Sequence, residues 1–435
     1  MITQPTLRKE STVAHFLNRT ALSDFRLRHS IGGVKIGRRI TSLPVSELMK
    51  FVSASSFSLG GSKAWKANFS RSLIRWVDQS TNHEHTTEEL LTLICRGGFP
   101  MTTQRLLGAS RLCGALGLHV VALKLETQAW DLIRGREAKA RHPSELLQQV
   151  QVAIYRGDLQ QAKDFSQKLC DRLAPKDAGL FSYTDVFNYI SLWSGNESLR
   201  FPGESESLSH RWNSELAGRR LHVYGPGVTT GNVTPIPSDE KVIRIAGPGS
   251  YDWSNKQDLA QGRTNIVYLI PETLAQIGKS EKDRQKILGG YDFVRVKRAE
   301  VPYLENALKV EAGSRLFLRG HPNMVPLICL DVLRVKETSL KIIGSDFFAS
   351  PVSYRRDSRR TSSPGNLQDP KGSGGNPYDR STLMASHNVF ENRALVKNLY
   401  EAGKIEGDTS FNEALEMTHS EYAEILDEIY GKERS

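Results

Sequence analysis

The 435-residue chain lacks any apolar run approaching the roughly 20 residues that a membrane-crossing helix needs. Its opening residues, MITQPTLRKESTVAHF, hold no apolar stretch of the kind that directs secretion. Cysteine is scarce: Cys95, Cys113, Cys170 and Cys329 show no CxxC spacing and no histidine pairing. That excludes a zinc-finger pattern and a disulfide framework, and it fits small buried thiols in a reducing compartment. A cytoplasmic protein is the expectation. No glycine loop is followed by Gly-Lys-Ser/Thr, which argues against a P-loop kinase or ATPase. No GxGxxG opens a helix, which argues against a dinucleotide-binding domain. No DxD accompanies the candidate strands, so the clustered carboxylates that hold Mg²⁺ at many diphosphosugar sites are missing. Aromatic residues, 8% of the chain, do not interleave with the basic ones as a single-strand nucleic-acid groove requires.

Charge is present, and unevenly spread. Eight Lys and Arg within residues 1–40 stand against Glu10 and Asp24, a balance of +6 in a chain whose net charge is +10. Nine acids within residues 401–430 stand against Lys404, a balance of −8. A basic arm is suited to touch an anionic membrane, a phosphorylated substrate or nucleic acid, and is equally readable as a solvated tail. No specific nucleic-acid binding is expected.

Residues 1–84 are rich in Ser, Gly and Arg and read as a basic, partly disordered region. From 85 to 193 apolar residues fall at helical spacing in six segments, among them Ser144–Tyr155 and Leu159–Leu173, with Gly at the turns. They predict stacked helical hairpins, an all-α repeat-like domain whose ordinary use is packing or docking a protein partner. Residues 194–215 are polar and read as a linker. From 216 to 435 strands and helices alternate, which predicts an α/β fold: a parallel, Rossmann-like sheet with helices on both faces and its active edge at the strand carboxyl ends. The expected strands are Arg220–Tyr224, Lys241–Ala246, Asn265–Ile270, Asp292–Val296, Arg315–Leu318 and Leu340–Gly344, with a helix expected over Val301–Lys309 and capping boxes at Ser410 and Thr418. Residues 351–381, with Arg355, Arg356, Arg359 and Arg360, form a polar loop that is either a lid over an anionic ligand or a disordered insert.

Several residues at these strand ends could carry chemistry. The Gly225-Pro226-Gly227 turn after the first strand lets backbone N–H groups approach a phosphate, because no Cβ intervenes. Gly320-His321-Pro322-Asn323 precedes an apolar helix, where backbone donors could meet a phosphate or base; His321 is a ligand contact or a hydrogen-bonded structural group. Gly344-Ser345-Asp346 ends a strand, and Asp346 either orients a sugar hydroxyl or caps the next turn. His387 stands one helical turn before Glu391, so the carboxylate could orient an imidazole acting as general base. An N-cap histidine with a helix-stabilising acid satisfies the same spacing.

The order of these motifs over 220–400 resembles the sialyltransferases that use CMP-activated sugars, as a divergent bacterial relative. VYGPG, the VIR of Val242–Arg244 and GRTNIVYL are similar to that family's first long motif; HPNMVPLICLDVL through LKIIGSDFF is similar to its second. His387 and Glu391 resemble its closing histidine–glutamate pair. The resemblance implies an inverting, metal-independent glycosyltransferase taking sialic acid, Kdo or a similar sugar from a CMP donor to a glycan acceptor. The donor is a substrate, and no separate cofactor is implied. His387 would deprotonate the acceptor, with Glu391 beside it. Gly225, Pro226, Gly227, Arg244, Thr264, Asn265, Gly320, His321 and Asn323 would hold the nucleotide, and Ser345 and Asp346 the sugar. The competing expectation is a helical scaffold carrying a non-catalytic nucleotide fold.

Overall fold

The computed structural model describes residues 83–96, 102–115, 117–173, 183–195, 206–225, 236–246, 264–278, 280–297, 299–310, 313–318, 322–349 and 387–431, with a few positions between 64 and 75. They form two compact units. One holds the described residues up to Arg136 together with His419–Gly431; the other holds those from Glu137 to Thr418. The helices drawn from the sequence as one domain over 85–193 thus fall in both units, and the last helix of the chain joins the first.

In the first unit, α1 (His83–Arg96), α2 (Thr103–Ala115) and α3 (His119–Arg134) pack with the final helix, α13 (His419–Gly431). Leu118 precedes α3 and makes no side-chain cap, so the first N–H groups of that helix need another acceptor. Asp427 on α13 supplies it: its carboxylate accepts from the His119 and Val120 N–H groups. Burial nevertheless raises the Asp427 carboxyl to about 7, helped by Glu424 and opposed by those two hydrogen bonds.

The second unit is built on seven parallel strands: β1 (Arg220–Tyr224), β2 (Lys241–Ala246), β3 (Ile266–Leu269), β4 (Phe293–Lys297), β5 (Ala307–Val310), β6 (Ser339–Ile343) and β7 (Ile405–Gly407). Their order across the sheet is β5-β4-β3-β2-β1-β6-β7. The chain begins near the middle, winds to one edge, then crosses back to β6 on the other side of β1. Consecutive residues of β3 and β4 are buried, which requires cover on both faces because side chains alternate. One face carries Val267, Leu269, Val294 and Val296 into a cluster with Leu274 of α8 (Pro271–Gln276) and Leu288 of α9 (Glu281–Leu288). The other presents Tyr268, Phe293 and Arg295 to α7 (Glu206–Leu216) and α10 (Met324–Val332).

That second face contains a charge cluster. Arg295 is fully buried, stacks 4.5 Å above the Trp212 ring and donates Nε to Asp331 at 2.7 Å. Tyr268 donates its hydroxyl to Asp331 at 2.7 Å, and Arg334 lies 3.0 Å away. Burial pushes the Asp331 carboxyl up, but Arg295 and Arg334 hold it below the usual carboxylate range.

Four expectations are corrected here. In the 194–215 linker, Ser194 and Gly195 close the helix before it and 206–215 belong to α7, which exists because fully buried Trp212 packs edge-on against Phe293. The helix expected over Val301–Lys309 is a pair of turns followed by β5, whose exposure alternates with a period of two. The strand expected over Arg315–Leu318 is a 3₁₀ turn, Ser314–Leu316. The Ser410 capping box gives way to Asp408, which accepts from the Phe411 N–H and caps α12 (Thr409–Glu416). The sequence reading also passed over β7, three residues long.

Removing Asp331 strands two arginines in a dry layer, so Asp331→Ala is expected to cost about 3–5 kcal/mol in urea unfolding. The Asp427 carboxyl titrates in the folded state above its ordinary value of 3.8. Its contribution is therefore complete below about pH 4 and lost as pH rises through about 7. Burial holds the neighbouring His119 imidazole at about 3, which acts in the opposite sense, so the check is a difference: the melting temperature of the wild type relative to Asp427→Asn should fall between pH 4 and 8.

Candidate functional site

A helix that returns the chain between two parallel strands runs against them, so its N-terminus lies at their carboxyl edge. α10 leads from β5 to β6, and α11 (Val389–Glu401) leads from β6 to β7. Both therefore begin at the edge where β1 ends in Gly225 and β6 in Gly344. β1 and β6 are neighbours from which the chain departs in opposite directions, the kind of crevice where open α/β sheets bind ligands.

The strand ends approach closely. The Gly225 N–H donates to the Ile343 carbonyl at 2.8 Å, and a Cβ at Gly225 would stand 2.4 Å from the Gly344 carbonyl oxygen. Gly344 has φ +68° and gives its N–H to the Asp408 carboxylate at 2.8 Å. Asp346 accepts from the Phe348 N–H at 3.0 Å, so its side chain does cap the turn. Phe347 and Phe348 follow with φ of 52° and 72°. Two successive non-glycine residues in the left-handed region cost about 1–3 kcal/mol each, and such strain gathers at functional edges.

The starts of α10 and α11 are tied together. The Asn323 N–H donates to the Asn392 side-chain oxygen at 2.7 Å, and the Leu318 N–H donates to Glu391 at 3.2 Å. Asn323 caps α10 by accepting from Val325 N–H. Asn388, with φ 47°, caps α11 by accepting from Glu391 N–H, so the cap is Asn388 and not His387. The fully buried Asn392 donates its amide to the carbonyls of His387 and Asn388. His387 is half-buried at this junction. Lys297, at the carboxyl end of β4, donates to the Pro322 carbonyl at 2.6 Å.

The carboxyl edge thus carries two groups: Gly225, Ser345 and Asp346 at the ends of β1 and β6, and the junction of Asn323, His387 and Glu391, which Lys297 ties to the end of β4. Arg244 lies elsewhere: in register with Tyr224 and Val267, it stands on the face covered by α8 and α9, away from α10. Thr264 and Asn265 precede β3 and so sit at the amino edge, about 13 Å from the rim for a strand of four residues. There Asn265 accepts from the Val242 N–H and donates to Asp292, which also receives Lys241. That is a structural bridge between three strands. Pro226, Gly227, Gly320, His321 and the 351–381 loop lie outside the described residues, as does the basic arm.

The sequence reading missed Asn392, Lys297 and Asp408. Lys297 ends a strand and had that signal; Asn392 and Asp408 act on backbone groups of distant segments and had none. Among the described residues no cluster of His, Cys, Asp and Glu could hold a metal ion, and no helix is long and apolar enough to cross a membrane.

Gly225→Ala is expected to force β1 and β6 apart at the rim, lowering stability by about 1–3 kcal/mol in chemical denaturation, as overpacking does. Comparison with protein-family models, curated proteins and solved structures gave no match to this chain.

Proposed function

We propose that the α/β unit is a glycosyltransferase that moves a sugar from a CMP-activated donor to a glycan hydroxyl, with inversion and without a metal. The observation that supports it is the carboxyl edge of the sheet: β1 and β6 end there in glycines where the chain changes direction, and α10 and α11 begin there with His387 next to the tie between their first turns. In this reading the cytidylate lies along that edge. The Gly225 turn and the α10 N-terminus face its phosphate, because backbone N–H groups and helix dipoles favour negative charge. His387 accepts the proton of the acceptor hydroxyl as its oxygen bonds to the anomeric carbon. The bond from that carbon to the phosphate oxygen breaks and CMP departs.

Glu391 also has a part that its spacing did not suggest. Its carboxylate holds the Leu318 N–H, so it fixes the segment before Asn323 against the helix that begins beside His387. Ser345 and Asp346 border the sugar through their turn. A basic N-terminal arm at a cytoplasmic membrane surface suits an acceptor carried on lipid or on a surface glycan.

Thermal-shift titration with CMP, UDP and GDP tests the reading. CMP at a hundredfold excess over its Kd should add about 2.7 kcal/mol of stability, with UDP and GDP inert and EDTA without effect. His387→Ala should keep the CMP shift while losing at least about a hundredfold in transfer from a CMP-sugar panel. Silence across all nucleotides would favour the scaffold instead.

A further inference from the structure

Residues 313–318 and 322–323 belong to no strand, so their backbone groups need partners from outside. Side chains supply them. Gln151 on α4 (Pro143–Arg156), only 6% exposed, donates its amide to the carbonyls of Arg315 at 2.7 Å and Phe317 at 3.0 Å. An amide carries two hydrogens, so one side chain serves both acceptors. Glu391 takes the Leu318 N–H, Lys297 the Pro322 carbonyl and Asn392 the Asn323 N–H. These described residues therefore hang from four side chains on three elements, and of the four Gln151 alone comes from the helical hairpins before the sheet.

Those hairpins are bound to α11 as well. Asn398 donates to the Ile154 carbonyl at the end of α4 at 2.6 Å, and Tyr189 of α6 (Thr184–Ser194) donates to Leu395 at 2.9 Å. α4 thus grips both the helix that begins beside His387 and the segment that leads to Asn323. A glutamine in a helix end where Val150, Val152, Ala153 and Ile154 are all buried has no packing advantage over an apolar residue, and its two acceptors account for it.

We infer that Gln151 is a positioning residue: it sets residues 313–318 against the start of α11, and through that helix start the nucleotide-binding edge. The inference rests on the CMP-sugar reading and assigns the hairpins over 143–194 to the site.

Its test compares Gln151→Met, which keeps the length and loses the donors, with Asn306→Leu. Asn306 bridges the Leu288 and Tyr291 carbonyls at 3.1 and 2.8 Å by the same chemistry at the amino edge. Both variants lose stability. Only Gln151→Met should accelerate hydrogen exchange at Leu318 and weaken CMP binding, by roughly tenfold, measured well below the melting temperature. Gln151→Glu, which turns an acceptor toward two carbonyls, should weaken CMP further. Unchanged exchange at Leu318, or faster exchange with wild-type CMP affinity, would overturn the inference. Wild-type protein that ignores CMP would instead refute the sugar-transfer reading, while exchange at Leu318 would still decide whether Gln151 holds the segment.

Discussion

A parallel sheet imposes one directional rule on everything attached to it. Strands that all point the same way force each returning helix to point the other way, so strand ends and helix starts collect at a single edge. Glycines at 225 and 344, the Asn323 and Asn388 caps and the Phe347–Phe348 turn are separated by up to 163 residues of chain, from Gly225 to Asn388. They share one edge because of that rule. The other edge inherits the opposite content: Asn265, Asp292 and Lys241 knit strand starts together with side-chain hydrogen bonds.

Under the edge, the sheet face toward α10 is polar for a buried layer. Arg295, Tyr268, Asp331 and Arg334 satisfy one another around a single carboxylate, with Trp212 stacked on Arg295. Such a cluster adds little net stability compared with apolar packing, but misaligning it is costly. It fixes β3, β4, α7 and α10 in one register, and α10 is the helix whose first turn reaches the rim.

Much of this architecture was legible. Short segments with adjacent Val, Ile and Leu marked β2 and β6, and LHVY before a glycine turn marked β1, all within a residue of their observed ends. The misses have a common cause. β5 and β7 are edge strands of four and three residues, too short for periodicity to register. α7 looked like a linker because its polar faces outnumber the one tryptophan that anchors it. Gly225 and His387 stood out by residue type, and they lie after β1 and just before α11. Arg244, Thr264 and Asn265 were misjudged because motif order fixes sequence position but not which face or edge a strand presents. Asn392 and Gln151 were invisible because each serves the backbone of a segment far along the chain.

The Phe347–Phe348 turn narrows what selection can place at the rim. A glycine at 347 would relax the backbone but delete a ring whose centroid lies 5.8 Å from that of Phe411. A β-branched residue would retain bulk and deepen the torsional penalty. Each improvement in one respect forfeits the other, so drift at these two sites should be confined to a handful of side chains, and paired changes with 411 are the open evolutionary route.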